Sequence, residues 1–155
     1  MLAAVRKPHR SFVVEDLSQV MPEVRRLLAS SHTVGDWTLA QICRHLADTV
    51  DASMDGFNMR RHRLKRTFCG KLLLHLTFRY GIPPGYTVDP TLSPPKGADL
   101  DQAVADLEKA LARYQAHRDR LHPHPLFGRL SRPMWDRMHR FHCGHHLSFA
   151  IATDA

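Results

Sequence analysis

The chain has 155 residues, enough for one domain with its own core, and its 43% hydrophobic and 24% charged residues are ordinary globular values. No apolar run approaches the roughly 20 residues that a membrane span needs, and the N-terminal MLAAVRKPHRSF has no apolar stretch typical of a secretory signal. We therefore expect a single domain over residues 1–155, located in the cytoplasm and without a membrane partner.

The net charge of +7 is concentrated in residues 56–88, which contain seven basic residues and no acidic one. Such a block is compatible with nucleic acid, an anionic lipid surface or an anionic small molecule. Its charges fall all round a helix, and no aromatic residues alternate with them for base stacking, so we favour a solvated basic helix over a nucleic-acid site. The block consists of Arg60, Arg61, Arg63, Lys65, Arg66, Lys71 and Arg79.

The three cysteines are odd in number and show no C-x-x-C spacing. This pattern argues against a disulfide framework and against a zinc ribbon. We expect Cys43, Cys69 and Cys143 to be free, buried thiols.

The first half of the chain shows three helical patterns. Residues 15–30 carry an amphipathic stripe in which Pro22 is the only irregularity. A second helix should begin at Thr38, which has capping-box spacing to Gln41, and should end at Gly56. Residues 62–80 form a third, less cleanly amphipathic stretch.

Residues 81–98 contain five prolines and three glycines and cannot form a helix. Such a connection is either a lid over a functional site or a proline-rich strap across the surface, and strap is the plainer interpretation. Residues 100–114 then give the cleanest helical pattern, in a helix that should end between His117 and Leu121. A final helix should begin at Ser131, with Pro133 in its first turn. No strand pattern is convincing, so the sequence predicts an all-α helical bundle with an extra helical stretch and a long proline-rich loop.

The final helix carries a histidine pair that suggests a metal site. His142 and His146 are four residues apart, so they differ by only about 40° around a helix axis and share its apolar stripe. A polar pair on an apolar face costs free energy unless it is hydrogen-bonded or coordinated. The pair therefore favours a metal ion over two ordinary core histidines.

His45 is the best third ligand, because it borders the apolar stripe of the second helix and can point into a bundle. Taken alone, it is better explained as an ordinary core or boundary residue. Three imidazoles would leave a coordination position open for water or substrate, as in catalytic sites, and would suit zinc, nickel, iron or cobalt. The sequence does not choose among these metals.

Three further residues are candidates for supporting roles. His139 lies one turn before His142 and is the best substitute ligand, and His145 could contact the ligands or a substrate. Asp48 could orient the imidazole of His45 or accept a proton, although an exposed, solvated carboxylate is the commoner role for such a residue.

These motifs together resemble the DUF1569 group of the DinB/YfiT-like superfamily of metalloenzymes. The resemblance extends over residues 12–149 and is most specific in W-T-L-x-Q-I-x-x-H-L ending at Leu46, in H-P-x-F-G-x-L from His124, and in H-x-x-x-H-L from His142. It implies a four-helix bundle of DinB type, often dimeric, with a divalent metal held by His45, His142 and His146. The common R-G-Q ending of such proteins is replaced here by Leu147, Ser148 and Phe149.

The resemblance also implies a reaction class, because relatives in the superfamily include transferases that use low-molecular-weight thiols and metal-dependent hydrolases. The leading hypothesis is a divalent-metal-dependent enzyme that uses activated thiol or water on a small, anionic substrate. The alternative is a non-catalytic dimeric binding or sensor protein with a structural or vestigial metal.

Overall fold

The computed structural model describes residues 10–57, 63–81 and 92–153, and in the helix that begins at Arg63 it describes side chains from Gly70 onward. The fold is mostly helical, as predicted. The helices are α1 (Val20–Ala29), α2 (Leu39–Asp55), α3 (Arg63–Tyr80), α4 (Leu100–Ala116) and α5 (Arg132–Leu147), and a 3-10 helix, Leu17–Gln19, precedes α1. None of the helices in the described ranges has the length and apolarity required to cross a membrane.

The helix boundaries follow local capping signals. Thr38 and Gln41 form the predicted capping box at the start of α2, and Gly56 ends that helix at a φ of 104°. Asp99 caps α4 by accepting a hydrogen bond from the backbone of Gln102. Pro22 lies in the first turn of α1, where a missing N–H breaks no intrahelical hydrogen bond.

The prediction that the chain contains no strand is wrong. Residues Ser31–Thr33 (β1) and Ala150–Ala152 (β2) form a two-stranded antiparallel sheet, with His32 opposite Ile151. Each strand has only three residues, which is too short for an alternating pattern to be recognised. The sheet fixes the segment before α2 to the end of α5.

Side chains from α1, α2, α4 and α5 form one hydrophobic core. Its largest fully buried members are Trp135 and Tyr114. Cys43 and Cys143 are free and buried, as predicted, and burial raises the pKa of each thiol to about 12. The side chain of Cys69 lies outside the described residues.

The helices α2 and α4 pack along each other and run in the same direction. Arg44 of α2 pairs with Asp106 of α4, and Asp51, about two turns further along α2, pairs with Arg113. Because the second ion pair lies further toward the C-terminus in both helices, the two helices are parallel. The exposed ion pairs fix the register of the helices more than they stabilise them.

Candidate metal centre

The structure brings the three predicted histidines together. His45 projects from α2, and His142 and His146 project from successive turns of α5, so that one ring nitrogen of each lies within 4.8 Å of those of the other two. The ring centroids of His45 and His146 are 4.6 Å apart, as are those of His142 and His146. His45 is buried, and the other two are half-buried. Two helices that are distant in sequence thus build one cluster of imidazoles.

The hydrogen bonds of His45 define its tautomer. Its Nδ1 lies 2.8 Å from the carbonyl oxygen of Leu92, which can only accept, so Nδ1 carries the proton. The lone pair of Nε2 is therefore free, and it lies 3.2 Å from Nε2 of His142. Metal-binding histidines are commonly oriented in this way, through a hydrogen bond from the nitrogen that does not bind the metal.

The carbonyl that orients His45 belongs to the proline-rich connection. The described end of this connection is attached to α2 at a second point, where the side-chain amide of Gln41 donates to the carbonyl of Pro95 at 3.4 Å. Pro94, between them, is buried. In its described part the connection therefore acts as the strap that the sequence suggested; residues 82–91 lie outside the described residues.

The surroundings of the three imidazoles keep them neutral. Burial lowers the pKa of His45, although the Leu92 carbonyl and Asp48 act in the opposite direction. The pKa values of His142 and His146 lie well below the usual value, because of burial first and the neighbouring imidazoles second. Neutral imidazole is the form that binds metal, so the cluster is ready to do so at neutral pH.

The three donor atoms lie close enough together for a single metal ion. Two imidazole nitrogens on a tetrahedral zinc, each about 2.05 Å from the ion, lie about 3.3 Å apart. The separation of 3.2 Å between Nε2 of His45 and Nε2 of His142 matches this value. Three imidazoles leave a fourth tetrahedral position for another ligand, as in catalytic zinc sites.

Trp37 is a neighbour of the cluster that the sequence analysis did not identify, because a tryptophan just before a helix is most simply explained as a core residue. Its indole lies almost parallel to the ring of His146, at 11° with centroids 5.3 Å apart, and it also contacts His45 at 4.8 Å. Two signals were available: Trp37 is the first residue of the W-T-L-x-Q-I-x-x-H-L motif, and it immediately precedes the N-cap of the helix that carries His45.

The predicted supporting residues occupy different environments. His139 lies outside the cluster of three: its Nε2 is 3.1 Å from the hydroxyl of Ser53, and its ring stacks on Trp135. Asp48 is half-buried and forms an ion pair with Arg44 at 2.8 Å. His145 borders the cluster, with its ring edge-on to His146 at 5.0 Å.

The H-P-L-F-G segment has a structural role in the described chain. Nδ1 of His124 accepts hydrogen bonds from the backbone N–H groups of Leu126 and Phe127, at 3.1 and 3.3 Å. Gly128 has a φ of 76° and exchanges two backbone hydrogen bonds with His124. The imidazole of His124 thus stabilises a tight turn that packs on the core instead of joining the metal site.

The basic block lies mainly outside the described side chains. Of its seven members, only Lys71 and Arg79 are described, and both are exposed on α3. This agrees with a solvated helix face at those two positions. The side chains of the other five basic residues lie outside the described part of the chain.

The mostly helical fold and the three converging imidazoles define a helical protein with a candidate metal site. The sequence profile of one family, described as protein of unknown function (DUF1569), matches residues 6–153. The chain belongs to this family. No curated protein and no solved structure matches it.

Proposed function

We propose that this protein is a divalent-metal-dependent enzyme, with zinc, nickel or iron held by His45, His142 and His146. One observation carries the proposal: three neutral imidazoles from two helices converge, and one of them is oriented by the Leu92 carbonyl. Buried imidazoles without a common ligand would each need their own hydrogen-bond partner.

We also propose a four-helix bundle of DinB type, with α3 as the extra helix. Two observations support it: the candidate ligands lie on α2 and α5, and the core is contributed by α1, α2, α4 and α5.

When bound, a divalent cation would supply Lewis acidity toward water or a low-molecular-weight thiol. Among the described residues the candidate ligands are three neutral imidazoles and no carboxylate, so these ligands would leave the positive charge of a bound cation unneutralised. Together with the net charge of +7, this favours an anionic small-molecule substrate. The reaction classes that fit are thiol transfer and hydrolysis.

Metal content tests the proposal most directly. Tag-free protein is reconstituted separately with zinc, nickel and ferrous iron, dialysed, and analysed by plasma mass spectrometry. We expect about one ion per chain in the wild type and less than about a tenth of this in His142→Ala, because two remaining imidazoles bind weakly. His75→Ala is the matched control, since His75 is exposed on α3.

A wild-type protein that retains no metal after reconstitution would contradict the proposal. The three histidines would then be structural, and a non-catalytic binding or sensor protein would become the leading hypothesis. Circular dichroism of each variant establishes that loss of metal does not arise from loss of fold.

We further propose that the protein is a homodimer in which α3 contacts a second copy. Four of the seven large apolar side chains exposed in the described ranges lie within a short length of α3, namely Leu72, Leu73, Leu76 and Tyr80. A cluster of this kind on one helix is typical of an interaction surface. The net charge of the chain opposes self-association at low salt, so the dimer should strengthen as the salt concentration rises.

Size-exclusion chromatography with light scattering tests the dimer at several salt concentrations. We expect the wild type to have twice the mass of one chain, and the double variant Leu72→Ser, Leu76→Ser to be monomeric. Leu28→Ser on α1 removes a comparably exposed leucine and should leave the dimer intact. A monomeric wild type at high protein concentration would refute this proposal while leaving the metal site untouched.

A further inference from the structure

The three imidazoles of the cluster are held in different ways. His45 donates a hydrogen bond to the Leu92 carbonyl, and His142 makes the contact with His45 described above. Within the described ranges, no hydrogen bond reaches the ring of His146. Its ring instead stacks on Trp37 and touches the other imidazoles edge-on. Since metal-binding histidines usually have a hydrogen-bonding partner that fixes the ring, His146 needs another means of orientation.

The backbone around Trp37 is fixed to the end of α5. After β1, the N–H of Val34 donates to the carbonyl of Phe149 at 2.9 Å. Gly35 follows, and a Cβ at this position would lie 3.4 Å from the ring of Phe149, so the two segments are in close contact. The capping box at Thr38 then begins α2 one residue after the indole. Trp37 is therefore attached on one side to the helix of His45 and on the other to the helix of His146.

We propose that Trp37 is a positioning residue of the metal site, which fixes the ring plane of His146 by stacking. This inference rests on the proposed metal site. A parallel indole restricts rotation of the imidazole about its side-chain torsions, so less freedom is lost when the ion binds. The contact of the same indole with His45 makes it a common wall for ligands from both helices.

Cobalt(II) is the probe, because its visible absorption reports the geometry of its ligands. Metal-free wild type, Trp37→Leu and Trp37→Phe are titrated with cobalt while visible absorption and tryptophan fluorescence are recorded. We expect Trp37→Leu to raise the Kd for cobalt about tenfold, in the range found for residues that orient metal ligands, and to change the absorption band. Trp37→Phe keeps an aromatic face and should restore the wild-type Kd to within about threefold.

The fluorescence gives a second reading that does not depend on the leucine variant. The chain has two tryptophans, and only Trp37 touches the three-histidine cluster. Bound cobalt should quench wild-type fluorescence strongly and should quench Trp37→Phe much less, because only Trp135 remains. Leu28→Ser removes an exposed side chain from α1, outside both the metal site and the proposed dimer contact, and serves as the control that should bind cobalt like the wild type.

The outcomes separate this inference from the proposed function. If the wild type does not bind cobalt, the metal site itself is refuted, and the role of Trp37 with it. If the wild type binds cobalt and Trp37→Leu has the same Kd and the same absorption band, the metal site stands and the positioning role is overturned. Equal quenching in the wild type and Trp37→Phe would likewise overturn it.

Discussion

Saturating zinc is expected to raise the Tm of the metal-free protein by roughly 5 to 10 °C. A ligand present at about a hundred times its Kd adds about 2.7 kcal/mol to the free energy of unfolding. Each kcal/mol moves the Tm of a domain of this size by about 2 to 4 °C. The ion would join α2 to α5 through His45 and His142, which are 97 residues apart in the chain. The unfolded chain offers no such preformed site. Thermal unfolding followed by circular dichroism, with and without zinc, measures the shift.

His45→Ala should abolish this shift, since it removes the contribution of α2 to the site. His145→Ala should retain it, because His145 borders the cluster but is not one of the three converging imidazoles. Excess chelator should return the wild type to the metal-free Tm. A shift of equal size in His45→Ala would show that zinc stabilises the chain elsewhere, and the three-histidine site would lose its support.

Acidification is expected to destabilise the metal-free protein through His139. Burial lowers the pKa of His139 to about 3 in the folded chain, with Arg132 acting in the same direction and Asp136 opposing it. The unfolded chain binds a proton near pH 6.5, so between about pH 6.5 and pH 3 the unfolded state carries more protons than the folded state. Stability is thus lost as the pH falls through this window, by about 2 kcal/mol for this residue between pH 7 and pH 5.

The variant His139→Gln isolates this effect. Glutamine does not titrate and can still reach the hydroxyl of Ser53, which His139 contacts at 3.1 Å. Urea unfolding in chelator at pH 7 and pH 5 should show a smaller loss in the variant, by about 2 kcal/mol, than in the wild type. The three histidines of the candidate metal site are present in both proteins, so the difference between the two losses reports the replacement of His139. Identical losses would mean that His139 is not held neutral by its surroundings.

Local signals in the sequence located the helices and the metal candidates well. The capping box at Thr38 and the glycine at position 56 set both ends of α2, and helical spacing placed His142 and His146 on one face. The same spacing could not separate His139 from that pair. The distinction depends on Ser53 and Trp135, which surround His139 in the core.

Contacts between distant segments escaped the sequence analysis for physical reasons. The orientation of His45 comes from the backbone carbonyl of Leu92, and a backbone group has no signature in side-chain patterns. The position of Trp37 depends on the pairing of β1 with β2, which are too short to be recognised. Asp48 has the spacing to support His45, but Arg44, four residues away on the same helix, forms the ion pair instead.

Because α2 and α4 are parallel, the chain between them must return to the end of the bundle where α2 began. A helix of 17 residues is about 25 Å long, so the chain leaves α2 at the opposite end from where α4 must begin. The 18 residues of α3 extend about 27 Å, close to the length of α2. Of its described side chains only Leu74 is a buried member of the core. Substitutions on the outer surface of α3 are therefore expected to leave the core intact and to act on the proposed contact with a second copy instead.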